Sequence, residues 1–360
     1  MKRYPELEIN LNNLSNNIKQ IKKRCDKYNI KLAGVIKGAT GIKEIAETFD
    51  KENVEFIASS RIEQLIPLKG KVKAKIMMIR IPMLSEVEDI VKYTDISLNS
   101  EIEVLKKLNS EAKKQGKTHE IILMQDLGDL REGFFKKEDI INASLLIENE
   151  LNNLKLVGIG TNLGCYGSIV PTREKLEELV TIAEIIEEKI NRKLDYISGG
   201  ATTSIPRVLD GDIPKRINLL RVGEGILLGK DLQDLWGYDM SYMKKVFKLN
   251  AEIIEVKDKP TYPIGEIFVD AFGNKPTYKD EGIRKRALIA LGKVDYAFID
   301  DLIINLDGAK IIGASSDHTI IDIEDCDKKI KPGDIISFDL TYSTMVYVTN
   351  SNNINKVFIK

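Results

Sequence analysis

Cysteine is scarce in this chain, and the little there is stands apart. Cys25, Cys165 and Cys326 are the only three in 360 residues. They are odd in number and never spaced as C-x-x-C. That argues against a disulfide frame and against a structural zinc site, and unpaired thiols lead to the expectation of a cytoplasmic protein. Long apolar runs are missing too. No stretch approaches the roughly 18 residues of a membrane span. The opening MKRYPELEIN has charge but no apolar stretch behind it, so it does not read as a secretory leader. Neither sign of charge dominates: 54 Lys and Arg stand against 55 Asp and Glu, a net charge of -1. This balance gives no electrostatic reason to expect nucleic acid or an anionic membrane as a partner. Low-complexity tracts and Ser/Pro-rich linkers are also absent. What remains is 43% hydrophobic and 30% charged, enough to fill sizeable cores and cover a soluble surface.

At this length about two domains are expected. Short apolar runs alternate with longer amphipathic segments. The runs are LAGVIK (32–37), FIASS (56–60), KIMMIRI (75–81), ISLNS (96–100), EIILMQDL (120–127), LKLVGIGT (154–161), YISGG (196–200) and NLLRVGEG (218–225). Rich in Ile, Val and Leu and flanked by polar turns, they read as parallel strands buried on both faces. Helices are expected over 42–49, 85–92, 101–115 and 172–191, the last capped by Thr172. A helix after Gly200 is the weakest reading, because Pro206 interrupts it. The rhythm fits an α/β fold, a (β/α)8 TIM barrel over residues 11–235. An open doubly wound sheet is the competitor. It has fewer units and wants G-x-G-x-x-G after an early strand, whereas GIGTNLG (158–164) has the wrong spacing and stands in the sixth unit. Residues 236–360 alternate more and are broken by Gly, Pro and Asp turns, with no long helix evident. They read as a C-terminal antiparallel β domain, to which residues 1–10 add a strand.

In a barrel, chemistry sits at the C-terminal ends of the strands, and phosphate is often held after strands seven and eight. Lys37 closes the first strand, in AGVIKGATG. Burial disfavours its ammonium and suits an amine that forms a Schiff base; a lysine simply emerging into solvent is the competing reading. SGGATTS (198–204), with Ser198, Gly200, Thr202 and Thr203, follows strand seven. RVGEG (221–225), with Arg221, Gly223 and Glu224, closes strand eight. Small residues, hydroxyls and open backbone N–H groups are what a phosphate monoester needs. Either segment alone would be an ordinary glycine turn. Together with a strand-end lysine they point to pyridoxal 5'-phosphate. Arg221 stands where it could meet the pyridine nitrogen. Arg131, in MQDLGDLREGF, could reach the ring hydroxyl or a substrate carboxylate, although Asp126, Asp129 and Glu132 offer it a local ion pair.

These segments, in this order, resemble the alanine-racemase-like, fold type III group of pyridoxal-phosphate enzymes. AGVIKGATG resembles the family's lysine motif, and MQDLGDLREGF its Asp-x-Gly-x-x-Arg-x-Gly-Phe segment. GIGTNLG is similar to the sixth-strand segment, with Asn162 in place of a ring-stacking histidine. YISGGATTS and LLRVGEGILLG match the phosphate and ring-nitrogen segments. GEIFVDAFG, GASSDHTIIDI and KPGDIISFDLTY resemble three segments of the C-terminal domain, the last ending on Tyr342 among the cofactor-binding positions. GATG, GTNLGC, RVGEG, DAFGNKP and SSDH are most similar to the ornithine racemase branch. The resemblance implies interconversion of L- and D-ornithine by Cα proton transfer, lysine as a secondary substrate, and a homodimer whose β domains complete each other's barrel mouth.

Departures from the family pattern bear on the second base. The place of the family's catalytic tyrosine reads Asp270-Ala271-Phe272-Gly273. A phosphate-reaching tyrosine after the lysine is lost near Thr40-Gly41, and a methionine falls on Ser316, leaving Asp317. With Lys37 as base on one face of Cα, the candidates for the other face are Asp270, His318 and Asp317, and more thinly Cys165, taken as a buried thiol. Histidine's ordinary pKa is the most suitable. Asp270 and Glu224 are also candidates to meet ornithine's side-chain ammonium. Arg221 does not give up its proton, so the ring nitrogen stays unprotonated. That weakens electron withdrawal and favours return of a proton over side reactions. A fold type III decarboxylase generally uses an acidic residue there, so Arg221 disfavours decarboxylation. The same architecture also admits a racemase of lysine or alanine, and a metal-dependent aldolase, for which His318 and Cys326 give a weak signal. A non-catalytic pyridoxal-phosphate carrier would lack the last 120 or so residues.

Overall fold

The structure, a computed structural model, describes residues 3–360. The chain divides into two compact units, one Asn12–Lys244 and the other Lys245–Lys360 with the residues up to Leu11. The first strand, β1 (Glu6–Asn10), belongs to the second unit.

The first unit is the eight-stranded parallel barrel, closed in the order β2 (Lys31–Val35), β3 (Phe56–Ser59), β4 (Lys75–Met78), β5 (Ile96–Asn99), β6 (His119–Met124), β7 (Leu154–Gly160), β8 (Tyr196–Ser198) and β9 (Leu219–Val222). The seam closes where β9 pairs β2, with Ala33 opposite Arg221 and Gly34 opposite Val222. Side chains two apart on a strand share a face. Ala33, Val35, Phe56, Ala58, Ile96, Leu98, Ile122, Met124, Tyr196 and Leu219 pack together in the interior. Continuing that alternation places Arg221, two beyond Leu219, on the inward register, and Lys37 follows directly where β2 gives way to a 3-10 turn.

All eight expected strands are present, and all end sooner than the apolar runs do. The first stops at Val35 and Lys37 begins a 3-10 turn; the fifth stops at Met124. The run outlasts the ladder because residues beyond it, such as Ile36 and Leu127, are also buried. Thr172 caps the helix Arg173–Ile190, accepting from the Lys175 N–H at 3.3 Å. Pro206 does not break a helix. It sits in the first turn of Ile205–Asp210, where its missing N–H has no intrahelical partner to lose. The helix Leu11–Asp26 was hidden by the strand-like alternation before it, and buries Leu14, Ile18, Ile21 and Cys25 at 3.6-residue spacing.

The break between the units falls at Lys244–Lys245 rather than after residue 235. The intervening turns are tied to the barrel unit: Tyr238 donates to Asp210 at 2.7 Å, Asn17 donates to the Lys244 carbonyl at 2.8 Å, and Arg24 lies 3.6 Å from the Tyr242 ring centre.

The second unit is a sheet of β10 (Phe247–Pro260), β11 (Ile283–Ile289), β12 (Leu302–Ile304), β13 (Lys310–Ala314), β14 (Thr319–Asp322), β15 (Ile335–Leu340) and β16 (Asn355–Ile359), ordered β12-β15-β10-β11-β14-β13. β1 joins it antiparallel to β10 and parallel to β16, so one pairing departs from the antiparallel rule. It also contains a helix, Tyr342–Asn350, where none was expected. Thr341 caps it, a signal masked by the strand-like FDLTY before it. Among the described residues no helix is long and apolar enough to cross a membrane.

Candidate active site

Lys37 opens a 3-10 turn at the mouth of the barrel, half-buried, and among the described residues its ammonium has no ion pair or hydrogen bond. Its pKa is lowered, first by burial and then by the Arg131 guanidinium, with Cys165 and Glu132 pulling the other way. A lysine so placed holds a larger neutral fraction than an exposed one.

Arg221 is 4% exposed and needs acceptors at that depth. Its Nη1 donates to Ser198 Oγ and its Nη2 to the Thr161 carbonyl, the latter at 2.8 Å. Nε–H has no acceptor among the described residues. Burial pushes the guanidinium pKa down to about 10, with Glu132 opposing. It therefore stays charged at neutral pH and keeps its Nε–H unused.

The loops after β8 and β9 form a cradle of small groups. Gly200 has φ +115° and its missing Cβ would lie 2.6 Å from Ser204 Oγ, so no side chain fits there. Thr202–Ser204 is a 3-10 turn, and the first N–H groups of such a turn have no acceptor within it. Thr202 Oγ1 accepts from Gly225 N at 3.1 Å, tying the two loops together. Gly223 precedes the short helix Glu224–Leu227. A Cβ on it would come within 3.0 Å of the Val35 carbonyl, so the eighth-strand loop presses against the lysine strand. Thr203 donates to the Leu163 carbonyl at 2.8 Å and so faces the sixth-strand loop.

The loop after β6 carries Arg131, exposed and paired with Glu132 through Nε–Oε2 at 2.5 Å and Nη2–Oε1 at 2.7 Å. Arg131 is thus an ion-pair partner of Glu132, and its charge also acts on Lys37 and Arg221. Asn162 is half-buried in the loop after β7. Cys165, taken from the sequence as a buried thiol, is exposed; the glycines around it let its loop run over the surface.

The barrel thus brings Lys37, Arg131 and Arg221 within electrostatic reach of one another, with Ser198 bonded to Arg221, and sets Thr202 and Thr203 in the loop that follows Ser198. Two contributors had no signal in the sequence. The Thr161 carbonyl is backbone. Glu132 stood out only as an ion-pair partner, though its charge reaches both Lys37 and Arg221.

The four positions in the other unit have separate surroundings. Asp270 closes its own turn, accepting from Phe272 N at 2.9 Å and Asn274 N at 2.8 Å. The Asn274 N–H is the main cause holding its carboxyl below the usual range. Asp317 accepts from Ser316 Oγ at 2.6 Å. His318 is exposed, its Nδ1 3.4 Å from Ser315 Oγ. Tyr342 is the first residue of its helix and 36% exposed.

The alanine racemase N-terminal domain family matches residues 9–230. An ornithine racemase of Acetoanaerobium sticklandii is 45% identical over 98% of this chain and 99% of its own. The chain belongs to the alanine racemase family. A lysine racemase of Thermotoga maritima is 36% identical, covering 99% of this chain and 98% of its own. The alanine racemase of Bartonella henselae, solved with covalently bound pyridoxal phosphate, superposes with a TM-score of 0.75 at 16% identity, covering 98% of this chain and 99% of that one. That likeness supports the fold, a barrel with an added sheet domain.

The family's cofactor fits the residues present. It needs a lysine with no competing partner, a donor for the ring nitrogen and a tight cradle for a phosphate. Among the described residues Lys37 is unpaired, Arg221 Nε is open, and the Gly200 cradle excludes any Cβ.

Proposed function

We propose that this chain is a pyridoxal-phosphate-dependent racemase that interconverts L- and D-ornithine. The observation that carries the reading is the pair at the barrel seam: an unpaired Lys37 just past the end of β2, and a buried Arg221 with its Nε–H open on β9, the strand that pairs β2. The choice of ornithine rests on the 45% identity to the ornithine racemase.

Lys37 would hold the cofactor covalently, Arg221 its ring nitrogen, and Gly200, Thr202, Thr203, Gly223 and Glu224 its phosphate. Ser198 keeps Arg221 in place, and Asn162 and Arg131 would help hold the ring. Bound there, pyridoxal phosphate supplies the electron withdrawal that makes a Cα–H acidic. Once the substrate's amine has taken its place on the cofactor, the freed Lys37 Nζ, its charged form disfavoured by burial and Arg131, would take the Cα proton on one face. Arg221 stays protonated and donates without transferring its proton, which favours simple return of a proton at Cα.

For the opposite face we assign His318. Its two ring nitrogens can take a proton and give one, and the Asp270 carboxylate is already spent on its own turn. The second group would come from a second copy of the chain, in a cytoplasmic homodimer. Ile264, Phe268, Phe272 and Ile283 are exposed along one segment, which supports an interface there. The three free cysteines support a reducing compartment.

The test is deuterium incorporation at Cα and loss of optical rotation for L-ornithine, L-lysine and L-alanine in heavy water. Ornithine is expected to exchange fastest and alanine slowest. Preference for lysine would move the assignment to the relative at 36% identity. Absence of exchange with all three, from protein that binds the cofactor, would refute racemase activity.

A further inference from the structure

Asp129 is 1% exposed, and among the described residues no Lys or Arg pairs with it. Its carboxylate is instead filled by backbone donors. Oδ1 accepts from Gly164 N at 3.1 Å, Cys165 N at 3.2 Å and Ile169 N at 3.3 Å, and Oδ2 accepts from Tyr166 N at 3.1 Å. Among the described residues these are all the backbone hydrogen bonds that residues 162–170 donate, so one side chain anchors the whole loop. Contact is close along its length: a Cβ on Gly167 would stand 2.8 Å from the Asp129 carbonyl oxygen.

That loop carries Asn162, and Asp129 is two residues before Arg131. The neighbouring Asp126 shapes its own turn, accepting from Gly128 N at 2.8 Å and Leu130 N at 3.2 Å. Asp129 reaches across to the next loop. The sixth-strand loop is then held to the seventh by Thr203, which donates to the Leu163 carbonyl at 2.8 Å.

We propose that Asp129 is a positioning residue for the reaction, locking the fifth- and sixth-strand loops together so that Arg131 and Asn162 are held at the lysine. The proposal rests on the racemase reading above. A carboxylate suits the task because its two oxygens accept up to about four hydrogen bonds and its charge strengthens each. Asparagine offers one oxygen and turns an NH2 toward the Tyr166 N–H.

The test compares Asp129→Asn and Asp129→Ala holoenzymes with wild type by amide hydrogen exchange and steady-state kinetics. Losing a charge-assisted contact is expected to speed exchange at Gly164, Cys165, Tyr166 and Ile169 by about tenfold in Asn and about a hundredfold in Ala. β7 should keep its protection and the cofactor its visible absorbance. KM for ornithine should rise more than kcat falls. The acid limb of kcat/KM should move to higher pH as Arg131 leaves Lys37. A purely structural role would lower the active fraction and leave KM and the pH profile in place, and that result overturns the proposal. So does unchanged exchange, or loss of β7 protection together with the loop in both variants. Should wild type fail to racemise ornithine while the loop exchanges as expected, the substrate assignment falls and the loop anchor stands.

Discussion

His119 is buried to 2% exposure at the start of β6, and its Nε2 lies 2.8 Å from Ser97 Oγ. Ser97 Oγ also accepts from Asn99 Nδ2 at 2.9 Å, so the ring belongs to a buried polar group. Burial pushes its pKa from the ordinary 6.5 down to about 4, with Asp95 opposing. The folded value lies below the unfolded one. Stability is therefore complete above pH 6.5, falls as pH drops from 6.5 toward 4, and falls no further below that. At about 1.4 kcal/mol per unit the full loss is about 3 kcal/mol. The assay is urea unfolding of wild type and His119→Gln at about pH 7 and about pH 4.5, where the linkage has removed about 2.5 kcal/mol. Carboxylates titrate in the same range in both proteins, so the quantity to read is the difference of differences. Wild type should lose about 2.5 kcal/mol more than the variant on acidification. Equal losses would show that the imidazole is not held neutral, and would refute the burial argument.

Three further outcomes concern the site. Arg131→Gln removes the cation nearest in effect to Lys37; the Lys37 pKa rises, and the acid limb of kcat/KM moves to higher pH. An unmoved limb would remove Arg131 from that role. Arg221→Glu is expected to raise the share of turnovers that end in side reactions, read as loss of the cofactor's visible absorbance during turnover; unchanged partitioning would end that account. Gly200→Ala forces a side chain onto φ +115° and against Ser204 Oγ, a strain of about 1–3 kcal/mol. The affinity for pyridoxal phosphate should fall about tenfold or more by equilibrium dialysis, with Lys37 chemistry intact.

What could be read from the residues depended on how local the physical signal was. Eight buried runs gave eight strands, because strands covered on both faces read as mostly apolar runs. Lys37 and Arg221 were legible for a related reason: one is a charge that closes an apolar run, the other a charge that interrupts one. The helix Leu11–Asp26 was not, since its first turn, LNNL, continues the alternation of β1. Tyr342–Asn350 was not, because its β-branched residues favour strands by propensity and only the Thr341 cap argues for a helix.

The least legible feature is the one that organises the mouth. Asp129 read as an ordinary ion-pair partner for Arg131, two residues away. Its actual donors lie 35–40 residues further along the chain, and they are backbone N–H groups that every residue but proline carries. No residue type marks them. Only the parallel pairing of β6 with β7 brings their loops within reach. The same reasoning applies to the Thr161 carbonyl that holds Arg221. A residue-type signal can name the groups that do chemistry, because charge and nucleophilicity belong to side chains. The groups that aim them are largely backbone, so the aim of Lys37, Arg131 and Arg221 follows from the closed sheet.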